Sequence, residues 1–180
     1  MEHNEGYIPN KQLCERLIPA FEVARGAGYQ ALFLIDNSQG HSAYSEDALL
    51  VSCMNVKPGR KQAHMRSGWF IRDGCKVIQD MIFLPDHPQY PNEPKGIKAV
   101  LSEQGLYCAQ LRGKCKKKCD PKSTICCNKR ILELQPDFCA QKSLVQETIE
   151  AAGHLCIFLP KFHCELNFIE LFWGAVKKYL

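Results

Sequence analysis

The densest chemical signal in this chain is a set of four cysteines in its second half. They are Cys115, Cys119, Cys126 and Cys127. The stretch around them, Leu111–Arg130, reads LRGKCKKKCDPKSTICCNKR, and we call it the cysteine loop. Four thiolates separated by short turns are a common ligand set of a tetrahedral zinc site, and Asp120-Pro121 supplies a turn between the two pairs. The spacing therefore predicts a structural Zn²⁺ ion.

Two alternatives to this ligand set follow from the sequence. Cys126 and Cys127 are adjacent, which is less usual than a pair separated by two residues, so Cys108 could replace one of them. The other alternative is a reduced loop without a metal. Because the first ten residues are polar and lack the pattern of an export signal, the 11 cysteines are expected to be thiols or metal ligands in an intracellular protein.

The cysteine loop is also basic. Its lysines include Lys114, Lys116, Lys117 and Lys118, and Lys161 lies further along the chain. Lysines beside a metal knuckle suit contact with phosphates, so these five are the predicted nucleic-acid-binding residues. A run of lysines is more often a solvated face. The net charge of +4 permits a polyanionic partner without requiring one.

A second chemical signal comes from two acidic residues, Asp36 and Glu170, that each follow an apolar run. Tyr29–Ile35 and Leu155–Leu159 have the length of strands, and fully apolar strands are typical of a sheet that is covered on both faces. Ligands and catalytic groups gather at the carboxyl ends of strands in open α/β sheets, and Asp36 lies at such an end. Glu170 has apolar neighbours, which makes it a candidate for a group held for chemistry. The simpler interpretation makes Asp36 a turn former or the N-cap of a helix over Ala43–Met54, and Glu170 a solvated flank.

The sequence between these strands is irregular. Prolines and glycines interrupt residues 55–107 every few positions, and they leave room for a hairpin around Asp73-Gly74 and a short helix over Ile97–Gln104. A further helix is expected over Ala140–Ala152, with Gly153 as its C-terminal stop. Three histidines in loops are interpreted as surface residues: His41, His64 and His87.

The residues around both acids match a known pattern. The first strand ends in LID-N with His41 following, and the second runs into FLPKFHCELNFIELFWG. These motifs resemble the catalytic core of mariner-type DDE transposases, which carry D-N-x-x-x-H after one strand and a motif like L-P-x-x-S-P-D-L-N-P-I-E-x-x-W after another. The stretches MNVKPGRKQAHMRSGW and PKFHCELNFIELFWG are also similar to a branch of such elements in fungal genomes. In that branch the catalytic domain contains a long cysteine-bearing insertion.

The resemblance implies a ribonuclease-H-like α/β fold over residues 1–180, with a mixed sheet flanked by helices. It makes Asp36 the second acid and Glu170 the third, both catalytic ligands of Mg²⁺ or Mn²⁺, and gives Glu165 a structural role. Two ions held by such carboxylates activate a water or a DNA 3′-hydroxyl for displacement at phosphorus. The implied partner is DNA in the nucleus, with a homo-oligomer as a further expectation and no membrane contact.

The chain departs from the family pattern before Asp36. Family members carry a first aspartate on an earlier strand, whereas no aspartate precedes Asp36 in this sequence. The two remaining acids are far apart, and a long irregular insertion over about residues 55–141 would account for the distance. We therefore expect an N-terminally truncated copy that cuts no DNA by itself, because two-metal chemistry needs the missing acid. The alternative is a small zinc-knuckle module that binds nucleic acid or protein without catalysis.

Overall fold

The structure is a computed structural model, and it describes residues 13–26, 28–37, 39–59, 61–161, 166 and 168–179. It contains both helices and strands, with parallel and antiparallel pairs, so the predicted α/β class is confirmed at that level. The chain divides into two compact units. Unit 1 comprises Met1–Ser45 and Lys142–Leu180, and unit 2 comprises Glu46–Gln141. No helix in the described ranges is long and apolar enough to cross a membrane.

Unit 1 is built around two parallel strands, β1 (Leu32–Ile35) and β4 (Leu155–Phe158). Leu32 lies opposite Leu155 and the register continues to Ile35 opposite Phe158. The helical elements of this unit are a π-helical turn (Leu13–Leu17), α1 (Ile18–Arg25), a 3₁₀ turn (Gln39–Ser42), α5 (Leu144–Ala151) and α6 (Phe168–Tyr179). The Ser143 hydroxyl caps α5 by accepting the N–H of Gln146, which satisfies one of its unpaired first-turn donors.

One face of this parallel pair is packed and the other is half exposed. Ile18, Val145 and Ile149 form the buried cluster of unit 1, and side chains from the inner faces of β1 and β4 pack against it. The outer face carries four aliphatic side chains that are about half exposed: Leu32 53%, Leu34 47%, Leu155 51% and Ile157 51%. The apolar runs predicted strands covered on both faces, and in the described part of the chain one face is buried.

Unit 2 contains an antiparallel hairpin and short helices. Their bounds are β2 (Gly68–Arg72), β3 (Cys75–Gln79), a 3₁₀ turn (Val51–Cys53), α2 (Ile97–Gln104), α3 (Asn128–Glu133) and α4 (Pro136–Cys139). Asp73 and Gly74 have φ of 50° and 76°, the left-handed conformation that a two-residue hairpin turn requires. The predicted hairpin and the helix Ile97–Gln104 are confirmed.

The core of unit 2 is larger and is made of side chains that are widely separated in sequence, from Leu49 to Phe138. Its buried members are Leu49, Val51, Met54, Met65, Met81, Ile97, Val100, Leu101, Leu132 and Phe138. Asp137 is also buried, and its carboxylate accepts the N–H groups of Trp69 and Phe138, both at 3.0 Å. A Cβ on Gly68 would lie 2.3 Å from Oδ2 of Asp137, so only glycine fits at the start of β2.

The predicted helix over Ala43–Met54 is wrong. The structure has bends and turns there, with a 3₁₀ turn limited to Val51–Cys53. The apolar spacing that suggested a helix arises because Leu49 and Met54 enter the core of unit 2 from an irregular backbone. The backbone N–H of Leu49 is satisfied by the side chain of Gln141 at 3.1 Å instead of by a helical partner.

The bounds of unit 2, Glu46–Gln141, lie close to those of the predicted insertion at about residues 55–141. Its core belongs to it alone, as expected of a segment that folds separately from the strands that precede and follow it in sequence. That the surrounding core is ribonuclease-H-like stays a prediction.

Candidate metal centre and acidic strand end

The four predicted cysteines converge in unit 2. Sγ of Cys115 lies 3.7 Å from Sγ of Cys126, and Sγ of Cys127 lies 3.7 Å from Sγ of Cys119 and 3.9 Å from Sγ of Cys126. All four sulfurs lie within 4.8 Å of one another. Four sulfurs bound tetrahedrally to one ion at 2.3 Å are about 3.8 Å apart, so this cluster could hold one metal ion with little rearrangement.

Peptide groups hold the two ends of the cysteine loop together. The backbone N–H of Asn128 donates to Arg112 O at 2.9 Å, and that of Lys129 donates to Gly113 O at 2.8 Å. The Asn128 side chain is buried, and it both donates to Cys108 O at 2.8 Å and accepts the Cys108 N–H at 3.1 Å. Sequence reasoning missed Asn128, whose one signal is its place as a polar residue directly after Cys127, at the first position of α3.

Arg130 fastens the middle of the cysteine loop to α3. Its guanidinium donates to Ser123 O at 3.1 Å, to Pro121 O at 3.2 Å and to the Glu133 carboxylate at 3.0 Å. The hydrogen bond with Glu133 raises the pKa of Arg130 above its ordinary value. The Asp120 carboxylate forms the expected turn by accepting the N–H two residues later at 2.9 Å. The guanidinium of Arg130 is therefore used for contacts with the loop and with α3.

Hydrogen bonds among the thiols shift the pKa values of Cys115, Cys119 and Cys127 in different directions. Contacts with Cys127 and then Cys126 raise the pKa of Cys115 to about 12, and a contact with Cys126 raises the pKa of Cys119. Burial opposes ionisation of Cys127, but hydrogen bonds from the Arg130 backbone and from other thiols outweigh it and lower its pKa. One thiolate is thus stabilised by neighbouring thiols, and ionising the rest calls for a cation in place of their protons.

The alternative role for Cys108 is not supported by the geometry. Its thiol donates to the side-chain oxygen of Gln110 at 3.1 Å, and it is not among the four sulfurs that lie together. The set with the adjacent pair Cys126-Cys127 is the one that the structure brings together.

The predicted lysines of the cysteine loop have different surroundings. Lys117 and Lys118 are exposed and line a groove of about 350 Å³ together with Lys129, Cys115 and Cys119. The cysteine cluster thus forms one wall of a basic groove. Side chains placed there can reach an anion without giving up contacts in the core.

The other three predicted lysines are less alike. Lys114 donates from Nζ to Met54 O at 2.6 Å, so it ties the cysteine loop to the preceding segment although it also lines the groove. Lys116 is exposed on the loop. Lys161 is exposed in unit 1, in the turn after β4.

Asp36 directly follows β1, as predicted, and lies at an exposed strand end. The Asn37 side chain donates to Leu159 O at 3.3 Å, and the Leu159 N–H donates to Ile35 O at 2.7 Å, so the two strands are fastened at this edge. Oδ1 of Asp36 lies 2.5 Å from Nδ1 of His41. His41, interpreted above as a surface residue, is therefore the partner of Asp36, and a metal ion at this carboxylate has to compete with its imidazole.

The third predicted acid lies in α6. This helix extends over Phe168–Tyr179 and includes Glu170. The side chain of Glu170 and the residues 162–165, with Glu165 among them, lie outside what the structure describes. The expected convergence of Asp36 and Glu170 therefore stays a prediction.

No family model matches this chain, and neither a curated protein nor a solved structure matches it. The chemistry of the described side chains therefore carries the functional inference. The cysteine cluster supports this inference more strongly than the acidic residues do, because its four sulfur atoms all lie within 4.8 Å of one another.

Proposed function

We propose that this chain is a nucleic-acid-binding protein whose cysteine loop is folded by one Zn²⁺ ion and contacts the phosphate backbone. The observation that carries the proposal is the sulfur spacing of 3.7–3.9 Å within a lysine-rich loop. Closed sets of four thiolates are typical of structural zinc, which contributes folding energy and no open position for a substrate. The metal orders the loop, and the lysines bind.

The cysteine loop stays positive after the metal is counted. Leu111–Arg130 contains eight Lys and Arg residues and one Asp. A zinc ion with four thiolates carries two net negative charges, which leaves a surplus of five positive charges. Because the whole chain has a net charge of only +4, the rest of it is net acidic. This concentration of charge favours a polyanion at the loop over a general attraction to the whole surface.

The metal is tested by elemental analysis of protein reconstituted with zinc. We expect one zinc per chain, and Cys127→Ser should lose it because an incomplete thiolate set binds weakly. Cys108→Ser is the matched control, since this thiol lies outside the cluster, and it should retain the metal. A wild-type chain that takes up no zinc would contradict the proposal.

Nucleic-acid binding is tested by fluorescence anisotropy over a range of salt concentrations. Each lost phosphate contact reduces the slope of log K against log salt by about 0.9, so Lys117→Ala/Lys118→Ala should reduce it by about 2. The matched control is Lys177→Ala/Lys178→Ala, an adjacent exposed pair in α6. An equal loss in both double variants would mean that the cysteine loop has no special part in binding.

A second candidate function rests on unit 1 and on the resemblance to DDE transposases. It is favoured by one observation, that β1 and β4 are parallel neighbours with Asp36 directly after β1 and α6 after β4. In a ribonuclease-H-like core this order would bring Asp36 and Glu170 to one edge of the sheet as ligands of Mg²⁺ or Mn²⁺. Because no aspartate precedes Asp36 in these 180 residues, we propose that this chain by itself binds such ions weakly and does not cut DNA.

The second candidate is tested by calorimetry with Mn²⁺ and by a plasmid-nicking assay. We expect weak Mn²⁺ binding that Asp36→Ala and Glu170→Ala each abolish, and no nicking by the wild type. Nicking that disappears in Glu170→Ala would show an active enzyme and contradict the proposed inactivity. Mn²⁺ binding that neither substitution changes would show that Asp36 and Glu170 are not the ligands of the ion.

A further inference from the structure

Three aromatic rings in unit 2 form a compact cluster outside the metal centre. The ring centroids of Phe83 and His87 are 4.3 Å apart, and Tyr90 lies 5.6 Å from Phe83 and 5.7 Å from His87. All three side chains are half buried. Prolines at every third position from Pro85 to Pro94 bend the backbone around them, a regular spacing in the sequence that marks the segment.

The cluster is held in place by its own backbone. Nδ1 of His87 accepts the N–H of Tyr90 at 3.0 Å and the N–H of Gln89 at 3.3 Å. The Phe83 N–H donates to Glu93 O at 3.0 Å. Since Nδ1 is an acceptor, the ring proton of neutral His87 is on Nε2. His87, interpreted from the sequence as a surface residue, thus organises a preformed aromatic surface.

A groove beside these rings is basic. It has a volume of about 440 Å³, and its walls include Phe83, His87, Tyr90, Lys57 and Lys98. Among the lining residues that the structure describes none is acidic. A larger groove that is also lined by Phe83 and His87 differs, because its Lys95 is paired with Glu103 at 2.8 Å. An anion therefore favours the smaller one, which we call the ring groove.

The ring groove is connected to the cysteine loop by one short segment, Met54–Pro58. At its beginning, Met54 O accepts the ammonium of Lys114. In its middle, Val56 packs closely against Gly113. A Cβ added to Gly113 would lie 2.6 Å from Cγ1 of Val56. At its end, Lys57 and Pro58 line the ring groove. One extended polyanion could thus follow lysines from the cysteine loop to the rings.

We propose that unit 2 binds single-stranded nucleic acid, with phosphates on the cysteine loop and an unpaired base stacked in the ring groove. This inference rests on the proposed nucleic-acid binding and specifies its substrate. An unpaired base has a free face that an aromatic side chain can stack on, whereas a duplex keeps its bases stacked inside. Lys57 and Lys98 supply charge for the adjacent phosphates, and the Nε2–H of His87 is a donor for a base edge or a phosphate oxygen.

The test measures anisotropy with the zinc-loaded full chain, a labelled 12-nucleotide oligothymidylate and a 12-base-pair duplex. We expect the wild type to prefer the single strand. Tyr90→Leu keeps an apolar side chain but removes the ring, and it should weaken single-strand binding on the order of ten-fold while leaving duplex binding unchanged. Tyr90→Phe keeps the ring and should retain the wild-type affinity for both. Tyr44→Leu, an exposed tyrosine in unit 1, is the matched control.

The outcomes separate this inference from the proposed function. If neither probe binds, the proposed nucleic-acid binding fails and this inference fails with it. If both bind equally well and Tyr90→Leu changes neither, nucleic-acid binding stands and the ring groove is overturned as its base site. An equal loss for both probes in Tyr90→Leu overturns the ring groove as well, because it shows that the ring supports the fold and not base stacking.

Discussion

The two units bury their apolar side chains to different extents. In unit 2, Leu101 and Leu132 are fully buried in a core that includes side chains from α2, α3 and α4 and from the segments around Met54 and Met81. In unit 1, Ile149 is equally buried on the inner face of the parallel pair, while Leu34 and Ile157 on the outer face are about half exposed. Unit 2 thus has the packing of an independent domain, and in the part of unit 1 that the structure describes the sheet is covered on one side.

The largest expected effect is that zinc raises the unfolding free energy of unit 2 and not that of unit 1. A zinc concentration about 1000-fold above Kd stabilises the unit that binds it by ~4 kcal/mol, and the four cysteines all belong to unit 2. Each unit contains one tryptophan, Trp69 in unit 2 and Trp173 in unit 1. Unfolding monitored by fluorescence in Trp173→Phe should therefore shift strongly with a chelator, and in Trp69→Phe it should not. Equal shifts would mean that the units unfold together.

A core substitution should distinguish the two packing environments. Leu101→Ala removes a fully buried side chain from unit 2 and should cost ~2–5 kcal/mol of unfolding free energy. Leu34→Ala on the outer face of β1 should cost about 1 kcal/mol or less, because this side chain is 47% exposed. Ile149→Ala is the control, because it removes a fully buried side chain from unit 1 and should lower the unfolding free energy measurably. If Leu34→Ala costs as much as Ile149→Ala, the outer face is covered in solution.

The close approach of Gly68 to Asp137 in unit 2 predicts an effect of intermediate size on the unfolding free energy. Gly68→Ala would place a methyl group 2.3 Å from Asp137 and 2.8 Å from Met81, so β2 must shift, at a cost of ~1–3 kcal/mol. Gly174→Ala in α6 meets no heavy atom of the described residues within 4 Å and should be neutral or slightly stabilising. Urea unfolding of both variants measures the difference. A neutral Gly68→Ala would contradict the close packing of α4 on the hairpin.

The smallest effect concerns pH. Burial raises the pKa of Asp137 above 3.8, although hydrogen bonds from the N–H groups of Trp69 and Phe138 oppose the change. The folded state therefore holds the proton more tightly than the unfolded chain, and the stability this gives is lost as pH rises through the folded-state pKa. Relative to Asp137→Asn, the wild type should lose unfolding free energy as the pH rises above about 4, the ordinary pKa of an aspartic acid. A difference that is independent of pH would show that burial does not perturb this carboxyl.

The features that sequence reasoning predicted are local in the chain. The four cysteines lie in one loop, and the Asp73-Gly74 turn fixes its own hairpin, so spacing alone was informative for both. The false helix over Ala43–Met54 arose because apolar spacing does not show which core a residue enters. The exposed outer face of β1 could not be predicted either, since an apolar run does not show what covers it.

The features that were missed depend on partners distant in sequence. Asn128 organises the cysteine loop through backbone groups about twenty residues earlier, at Cys108. The ring groove joins Lys57 to Phe83 and Lys98, which no short motif connects. Propensity and spacing carry no information on such pairings, so the polar residues that support a site are the least predictable part of it.

The backbone bonds at the base of the cysteine loop change the cost of binding a metal. Arg112 and Gly113 are joined to Asn128 and Lys129 by peptide hydrogen bonds, so the segment between them is already a closed ring without the ion. The ion has only to close the short spans within that ring, and the entropy lost on closing a loop grows with its length. The affinity of the four thiols for a metal is therefore set partly by two amide groups that never touch it. Asn128→Ala removes the side-chain hydrogen bonds to Cys108 and Leu111 that fasten the same base, and it should weaken metal retention although all four ligands remain.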